Sequence, residues 1–196
     1  MQPEGTYVLS RTGSTTVAPM DVAHAAIALV AVGRLPAAEG AMTWLYHQMT
    51  LPTSPDSVDQ TGINYSGSWY DDLRTDGSPE VESPRGRGEG VGMALIATYS
   101  IARVDPGFLN VRIGDERVSD LVRLAAEYLT RPTMVRADGR FFHSPTYRVS
   151  FNEECARMTL GLDLAGRMLN GQGNVTVDQA SLAASEGLRA LDSGAE

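Results

Sequence analysis

The chain has 196 residues, of which 42% are hydrophobic, and a formal net charge of -8. This length and composition allow one domain with its own core. The acidic balance argues against nucleic acid and anionic membrane surfaces as partners, because both need a basic face. A lone cysteine, Cys155, excludes an internal disulfide, and no histidine or cysteine cluster has metal-ligand spacing. We therefore expect neither a metal nor a cofactor.

The chain opens with two β-prone runs around a turn at Gly13, over residues 7–17. Pro19 and Asp21 then indicate the start of a helix. Residues 22–32 are almost all apolar, which predicts a helix that is buried on most sides but too short to cross a bilayer. No basic segment followed by an apolar run precedes it, so we expect a soluble protein made in the cytoplasm, without membrane insertion.

A second helix is predicted after Pro36, which suits a first-turn position. Its apolar residues keep helical spacing: Ala38, Ala41, Met42, Leu45 and Met49. The two helices are expected to form a tight helical hairpin. Residues 51–68 are rich in Pro, Ser, Thr and Gly, which predicts a loop.

The centre of the protein is predicted at residues 69–104. A β-hairpin is expected around Asp76 and Gly77, a strong turn dipeptide. The helix that follows carries one apolar face, and Gly88 and Gly92 leave room one turn apart for a neighbouring element to approach closely. A further helix is predicted from Val118 until the Arg-Pro pair at residues 131–132.

The last third repeats this pattern. A hairpin turn is expected at Asp138 and Gly139. Ser150 and Glu153 have the spacing of a capping box, which predicts a helix from there to Gly171. A final helix is expected from Thr176.

The three turn glycines are evenly spaced. Gly13, Gly77 and Gly139 are 77 − 13 = 64 and 139 − 77 = 62 residues apart. Each is followed by two predicted helices, so we interpret the chain as one domain, 1–196, of three units at about 5–50, 68–130 and 134–192. Each unit alone would expose an apolar helix face, so the units are expected to stack.

This pattern of turns and helix pairs resembles a known architecture. The helix at 20–30, the Gly-Arg-Leu-Pro-Ala-Ala-Glu segment at 33–39 and the Trp-Leu pair at 44–45 are similar to the helical-hairpin repeats of α/α-toroids, found in terpenoid cyclases, protein prenyltransferases and several glycoside hydrolases. The resemblance implies a mainly α fold of three helix pairs in a half-ring array, with short β-hairpins between the pairs. A protein partner or self-association would complete the ring.

Three kinds of toroid chemistry can be compared with the sequence. The carboxylates at 71–76 resemble the magnesium motif of prenyl-diphosphate enzymes, but Asp76 is explained as a turn residue and no second motif follows. Other terpene cyclases use a four-residue acid motif with aspartate at the first, third and fourth positions. Here Trp69 stands at the first of these positions, so the motif is missing. A glycoside hydrolase needs two carboxyls that face each other across the sugar, and the chain has several candidates. We therefore assign no catalytic residue and keep a toroid-type carbohydrate-active enzyme as the alternative function.

The preferred prediction is a structural or interaction module of a larger assembly. All 16 basic residues are Arg, which suggests a GC-rich genome and a virion-associated protein such as a phage tail or surface component, with a glycan- or protein-binding face. Hairpin arms and helix N-termini are expected to meet at one end of the array, where the arginines pair with carboxylates. The candidate ligand-binding residues there are Trp69, Tyr70, Asp72, Arg85, Arg87, Glu89, His143 and Glu153.

Overall fold

The computed structural model describes residues 15–80 and 83–169, and this part of the chain is mainly helical, as predicted. Its α-helices are α1 (Pro19–Ala31), α2 (Leu35–His47), α3 (Gly88–Ala102), α4 (Val118–Thr130) and α5 (Asn152–Leu169), and a 3-10 helix spans Pro106–Asn110. Two short antiparallel sheets accompany them. Strand β1 (Thr16–Val17) pairs with β2 (Leu73–Arg74), and β3 (Arg112–Ile113) pairs with β4 (Glu116–Arg117).

Helix α3 is the central element, and it packs against α1, α2, α4 and α5. Eleven of its 15 residues are buried. Small residues allow this, since a Cβ on Gly92 would lie 2.9 Å from the carbonyl oxygen of Arg157 and from the Cα of Met158. The predicted close approach at the glycines of α3 is therefore confirmed, and the neighbour is α5.

The N-terminal ends of three helices lie together. The first residues of α1 and α3 are adjacent, because a Cβ on Gly90 would be 3.6 Å from the Cβ of Pro19. The start of α3 also contacts the segment before α5, where the Gly88 amide donates to the His143 carbonyl at 2.9 Å. The chain thus brings the hairpin segments before α3 and α5 to one end of the helix array.

Strand pairing differs from the expectation of separate hairpins. Val17 of β1 pairs with Leu73 of β2, so the first segment joins the second hairpin. Both side chains are buried, at 3% and 1% exposure, and burial across the sheet outweighs local turn preference. The turn predicted at Gly13 lies outside the described residues.

The other hairpins are irregular. Around Gly77, the backbone has only isolated bridges beyond β2, such as Leu73 with Pro79, and around Gly139 it has one, Val135 with Phe141. A hairpin over residues 112–117 was not predicted, because the charged residues around its turn residue, Gly114, are typical of a loop. Gly114 has a φ of 62° there.

Two helix predictions need correction. Helix α1 is not buried on most sides, since only Pro19, Val22, Ala23 and Ala26 are buried. The predicted capping box of α5 is wrong. The Ser150 hydroxyl donates to the Phe141 carbonyl, and the helix begins at Asn152. The hydroxyl therefore secures the preceding hairpin to the helix start.

The three predicted units are represented unequally. The first contains α1 and α2, the second contains α3 and α4, and the described part of the third contains α5. The helix predicted from Thr176 lies outside the described residues. Within the described ranges, no helix has the length and apolar character needed to cross a membrane.

Candidate functional site

A cleft lies where α1 and α3 begin, closed on one side by the segment at residues 69–71. It is small, with a cavity volume of about 30 Å³. Its lining residues are Ala18, Pro19, Met20, Trp69, Tyr70, Asp71, Arg87, Gly90 and Val91. The walls are mostly apolar, and Asp71 and Arg87 supply the charged groups.

Asp71 is the most unusual ionisable group in the cleft. Its side chain is only 9% exposed, and Oδ2 lies 3.4 Å from Nε of Arg87. Burial raises the pKa of Asp71 above its ordinary value, although the Arg87 guanidinium, the Arg87 amide and His143 act in the opposite direction. Desolvation therefore outweighs the ion pair, as expected when the partner is half exposed to solvent.

A pH-dependent stability effect follows from this pKa. A carboxyl whose pKa is raised by folding binds more protons in the folded state, so its favourable contribution is complete below the ordinary value of 3.8 and is lost as pH rises through the folded pKa. Asp71→Asn should therefore gain stability relative to the parent protein as pH rises above the ordinary carboxyl value. Urea unfolding at a series of pH values measures the difference.

The matched control is Asp72→Asn, since Asp72 is an exposed neighbour. This variant loses the same charge but does not remove a buried carboxylate. The difference between its free energy of unfolding and that of the parent should therefore vary less with pH. Parallel profiles for the two variants would contradict the assignment of a desolvated Asp71.

Two further side-chain pairs lie near the cleft. Nδ1 of His143 lies 2.8 Å from Oε2 of Glu154 at the start of α5. Glu89, in the first turn of α3, is 5% exposed and forms an ion pair with Arg157 of α5. Both pairs connect the beginning of α5 to the α3 region, and they hold the surface around the cleft in place.

An aromatic edge lies beside His143. The rings of Tyr147 and Phe151 meet the imidazole edge-on, with centroids 5.5 Å and 5.9 Å away. Both are unusually accessible, at 56% and 47% exposure. One surface is formed by Tyr70, Asp71, Arg87, His143, Tyr147 and Phe151. We call it the N-terminal face, because the N-terminal ends of the helices lie there.

Some of the residues predicted for the site have a structural role in the fold. Trp69 is 2% exposed, and its Nε1 donates to the Leu45 carbonyl at 2.7 Å. Arg85 lies between two tyrosines, with its guanidinium carbon 4.4 Å from the Tyr65 ring centroid and 5.1 Å from that of Tyr70. These side chains hold the hairpin against the core.

Asp72 and Glu153 point away from the cleft. Asp72 is exposed and does not line it. The side chain of Glu153 is 87% exposed and lies 3.9 Å from Nη2 of Arg157. The expected pairing of arginines with carboxylates is found for Arg85, which bonds Asp56, and for Arg87, which bonds Asp71.

The residues that sequence reasoning missed are neighbours of those it chose. Along an extended segment, side chains alternate between faces. Since Trp69 and Leu73 are buried, Asp71 shares their inward side and Asp72 does not. On α5, Glu154 stands four residues before the buried Met158, which places it on the packed side of the helix. Both signals were present in the residue spacing.

The described ranges contain no group of three His, Cys, Asp or Glu side chains that could hold a metal ion. Of the two halves of the site, the cleft has the buried charge and the aromatic edge has the exposed apolar area.

The chain matches no protein-family model, and no curated protein is significantly similar to it.

Proposed function

We propose that the protein is an interaction module of a larger assembly and that its N-terminal face binds a glycan. The observation that carries this proposal is the aromatic edge, where two exposed rings adjoin charged groups held in fixed pairs. Exposed aromatic rings give large contact area at low entropic cost, and polar groups beside them set the orientation of a ligand.

The charged groups suit a hydroxyl-rich ligand. The carboxylate of Asp71 and the imidazole of His143 are each already partnered, by Arg87 and Glu154. Paired groups keep spare hydrogen-bonding capacity without requiring a charged partner. A neutral sugar, which offers apolar ring faces and hydroxyl groups, matches this combination better than a strongly charged ligand.

The helix arrangement supports a related proposal for the fold. α1 and α5 pack on α3, as neighbouring helices of an inner row would, and α2 packs on α1, as a helix of an outer row would. This order is expected of an α/α-toroid-like half-ring. Such an array would present the N-terminal face at one rim. The assignment to a phage tail or surface component rests on composition alone and remains part of the proposal.

Glycan binding is tested with a printed array of bacterial, plant and animal glycans, followed by titration of the strongest binder. Replacing Tyr147 and Phe151 together by Ala is expected to weaken this binding by at least about tenfold, or about 1.4 kcal/mol. Stability should change by less than about 0.5 kcal/mol, because both rings are exposed.

The control replaces two exposed apolar residues away from the face, Val104 and Leu160, by Ala. They are 61% and 48% exposed, and the double variant should bind like the parent. Undiminished binding by the Tyr147→Ala, Phe151→Ala protein, or an array without any binder, would contradict the proposal.

A second function is favoured by Asp71. A buried carboxyl with a raised pKa is the property of a general acid in glycoside hydrolysis, so a toroid-type hydrolase is the alternative. Reducing-sugar release from a polysaccharide panel tests it. Hydrolysis that Asp71→Asn abolishes and Asp72→Asn preserves would establish the enzyme, whereas no release by the parent protein would reject it.

A further inference from the structure

A second groove lies between the loop after α2 and one side of α4, with a cavity volume of about 200 Å³. Its lining residues are Leu51, Pro52, Glu116, Asp120, Leu121, Arg123, Leu124 and Glu127. It shares none of them with the cleft. The floor is apolar, and the rim carries three carboxylates against one guanidinium.

The rim contains two carboxylates that accept no hydrogen bond. Asp120 is engaged, since Oδ2 accepts the Arg117 amide at 3.2 Å and Oδ1 pairs with Arg123. In the described part of the chain, the carboxylates of Glu116 and Glu127 form no hydrogen bond and no close ion pair, and Glu127 interacts at longer range with the Arg131 guanidinium. Two acceptors are therefore available at the groove.

A donor is also unused. Nε of Arg123 is buried and has no hydrogen-bond partner among the described residues. Leaving a buried donor unpaired is costly. Because Arg123 lines the groove, a small movement of its side chain would let a carbonyl oxygen in the groove accept from Nε. The groove thus offers carboxylates to a cationic side chain and an N–H group to a carbonyl.

We propose that this groove binds an extended segment of a partner protein that carries arginine or lysine side chains alternating with apolar ones. The cationic side chains pair with Glu116 and Glu127, a backbone carbonyl accepts from Arg123, and apolar side chains cover Leu51 and Leu124. A second copy of this chain is a poorer occupant, because its net charge of -8 opposes approach to an acidic groove.

The proposal does not depend on glycan binding, since the two surfaces share no lining residue. The probe is a fluorescein-labelled hexapeptide of alternating leucine and arginine, titrated by fluorescence anisotropy at about 0.15 M salt. A peptide with glutamate in place of arginine is the matched probe and should not bind. A peptide with glycine in place of leucine should bind more weakly, because it leaves the apolar floor uncovered.

Replacing Glu116 and Glu127 by Gln should weaken binding of the leucine-arginine peptide roughly fivefold. The control, Glu153→Gln with Asp163→Asn, removes the same two charges from α5, where the side chains are 87% and 42% exposed. It should change binding less than about twofold. Backbone amide shifts over residues 116–127 should move on titration, which locates the peptide.

Three results would overturn the proposal. The first is equal weakening by the two double variants, which would mean attraction by overall charge alone. The second is no binding of the leucine-arginine peptide to the parent protein. The third is a dimer, seen by sedimentation, that the Glu116→Gln, Glu127→Gln protein fails to form, since the groove would then belong to a second copy.

Discussion

Replacing Trp69 by Ala is expected to lower the free energy of unfolding by about 3–5 kcal/mol. The indole is buried and tilted against Tyr46, with ring centroids 5.8 Å apart. Its removal leaves a cavity between the hairpin and α2. It also leaves the Leu45 carbonyl without the Nε1 donor at 2.7 Å, which adds the cost of a buried unsatisfied acceptor. Urea unfolding at neutral pH measures the loss.

The comparison that separates structure from binding is Tyr147→Ala. This ring is 56% exposed, so its loss should change stability by less than about 0.5 kcal/mol. We therefore expect Trp69 to act through the position of the hairpin and, under the proposed function, Tyr147 to act through direct contact with the glycan. A Trp69→Ala protein as stable as the parent would contradict the placement of this indole in the core.

Gly161→Ala is expected to destabilise the protein by about 2 kcal/mol. A Cβ at this position would lie 2.6 Å from the carbonyl oxygen of Gly92 and 2.9 Å from its Cα. Both atoms belong to the backbone of α3, so the two helices must separate. The gain in helix propensity, about 1 kcal/mol for Ala over Gly, does not offset the displacement of the most buried helix.

Gly90→Ala is the matched control on α3. Its Cβ would meet the Cβ of Pro19 at 3.6 Å, an ordinary contact. Stability should stay unchanged or rise by up to about 1 kcal/mol. The separation of α3 and α5 by Gly161→Ala should also strain the Glu89–Arg157 pair and, under the proposed function, weaken glycan binding. Equal thermal midpoints for the two variants would show that the helices do not touch at Gly161.

The helices of the described region could be predicted because their signals are local. Apolar spacing marks α2 and α4, while Pro19, Pro36 and Pro132 mark boundaries. Strand pairing could not be predicted in the same way. β1 and β2 are two residues each, and their pairing depends on the burial of Val17 with Leu73, which are far apart in the chain.

The positions of the candidate site residues could be predicted only in part, for the same reason. The end of the array was identified, and Tyr70, Arg87 and His143 lie there. Which carboxylate faces inward depends on register, so Asp72 was chosen where Asp71 lines the cleft. The pair of Glu89 with Arg157 joins two helices that are distant in sequence, and no local pattern indicates which arginine fills that place.

The central claim, that the N-terminal face is the binding surface, is tested most directly by hydrogen exchange with and without the strongest array glycan. Amides over residues 69–71, 87–91 and 142–151 should exchange more slowly with glycan bound, while residues 116–127 should be unchanged. Slower exchange confined to residues outside these three segments, or no change at saturating glycan, would contradict the claim.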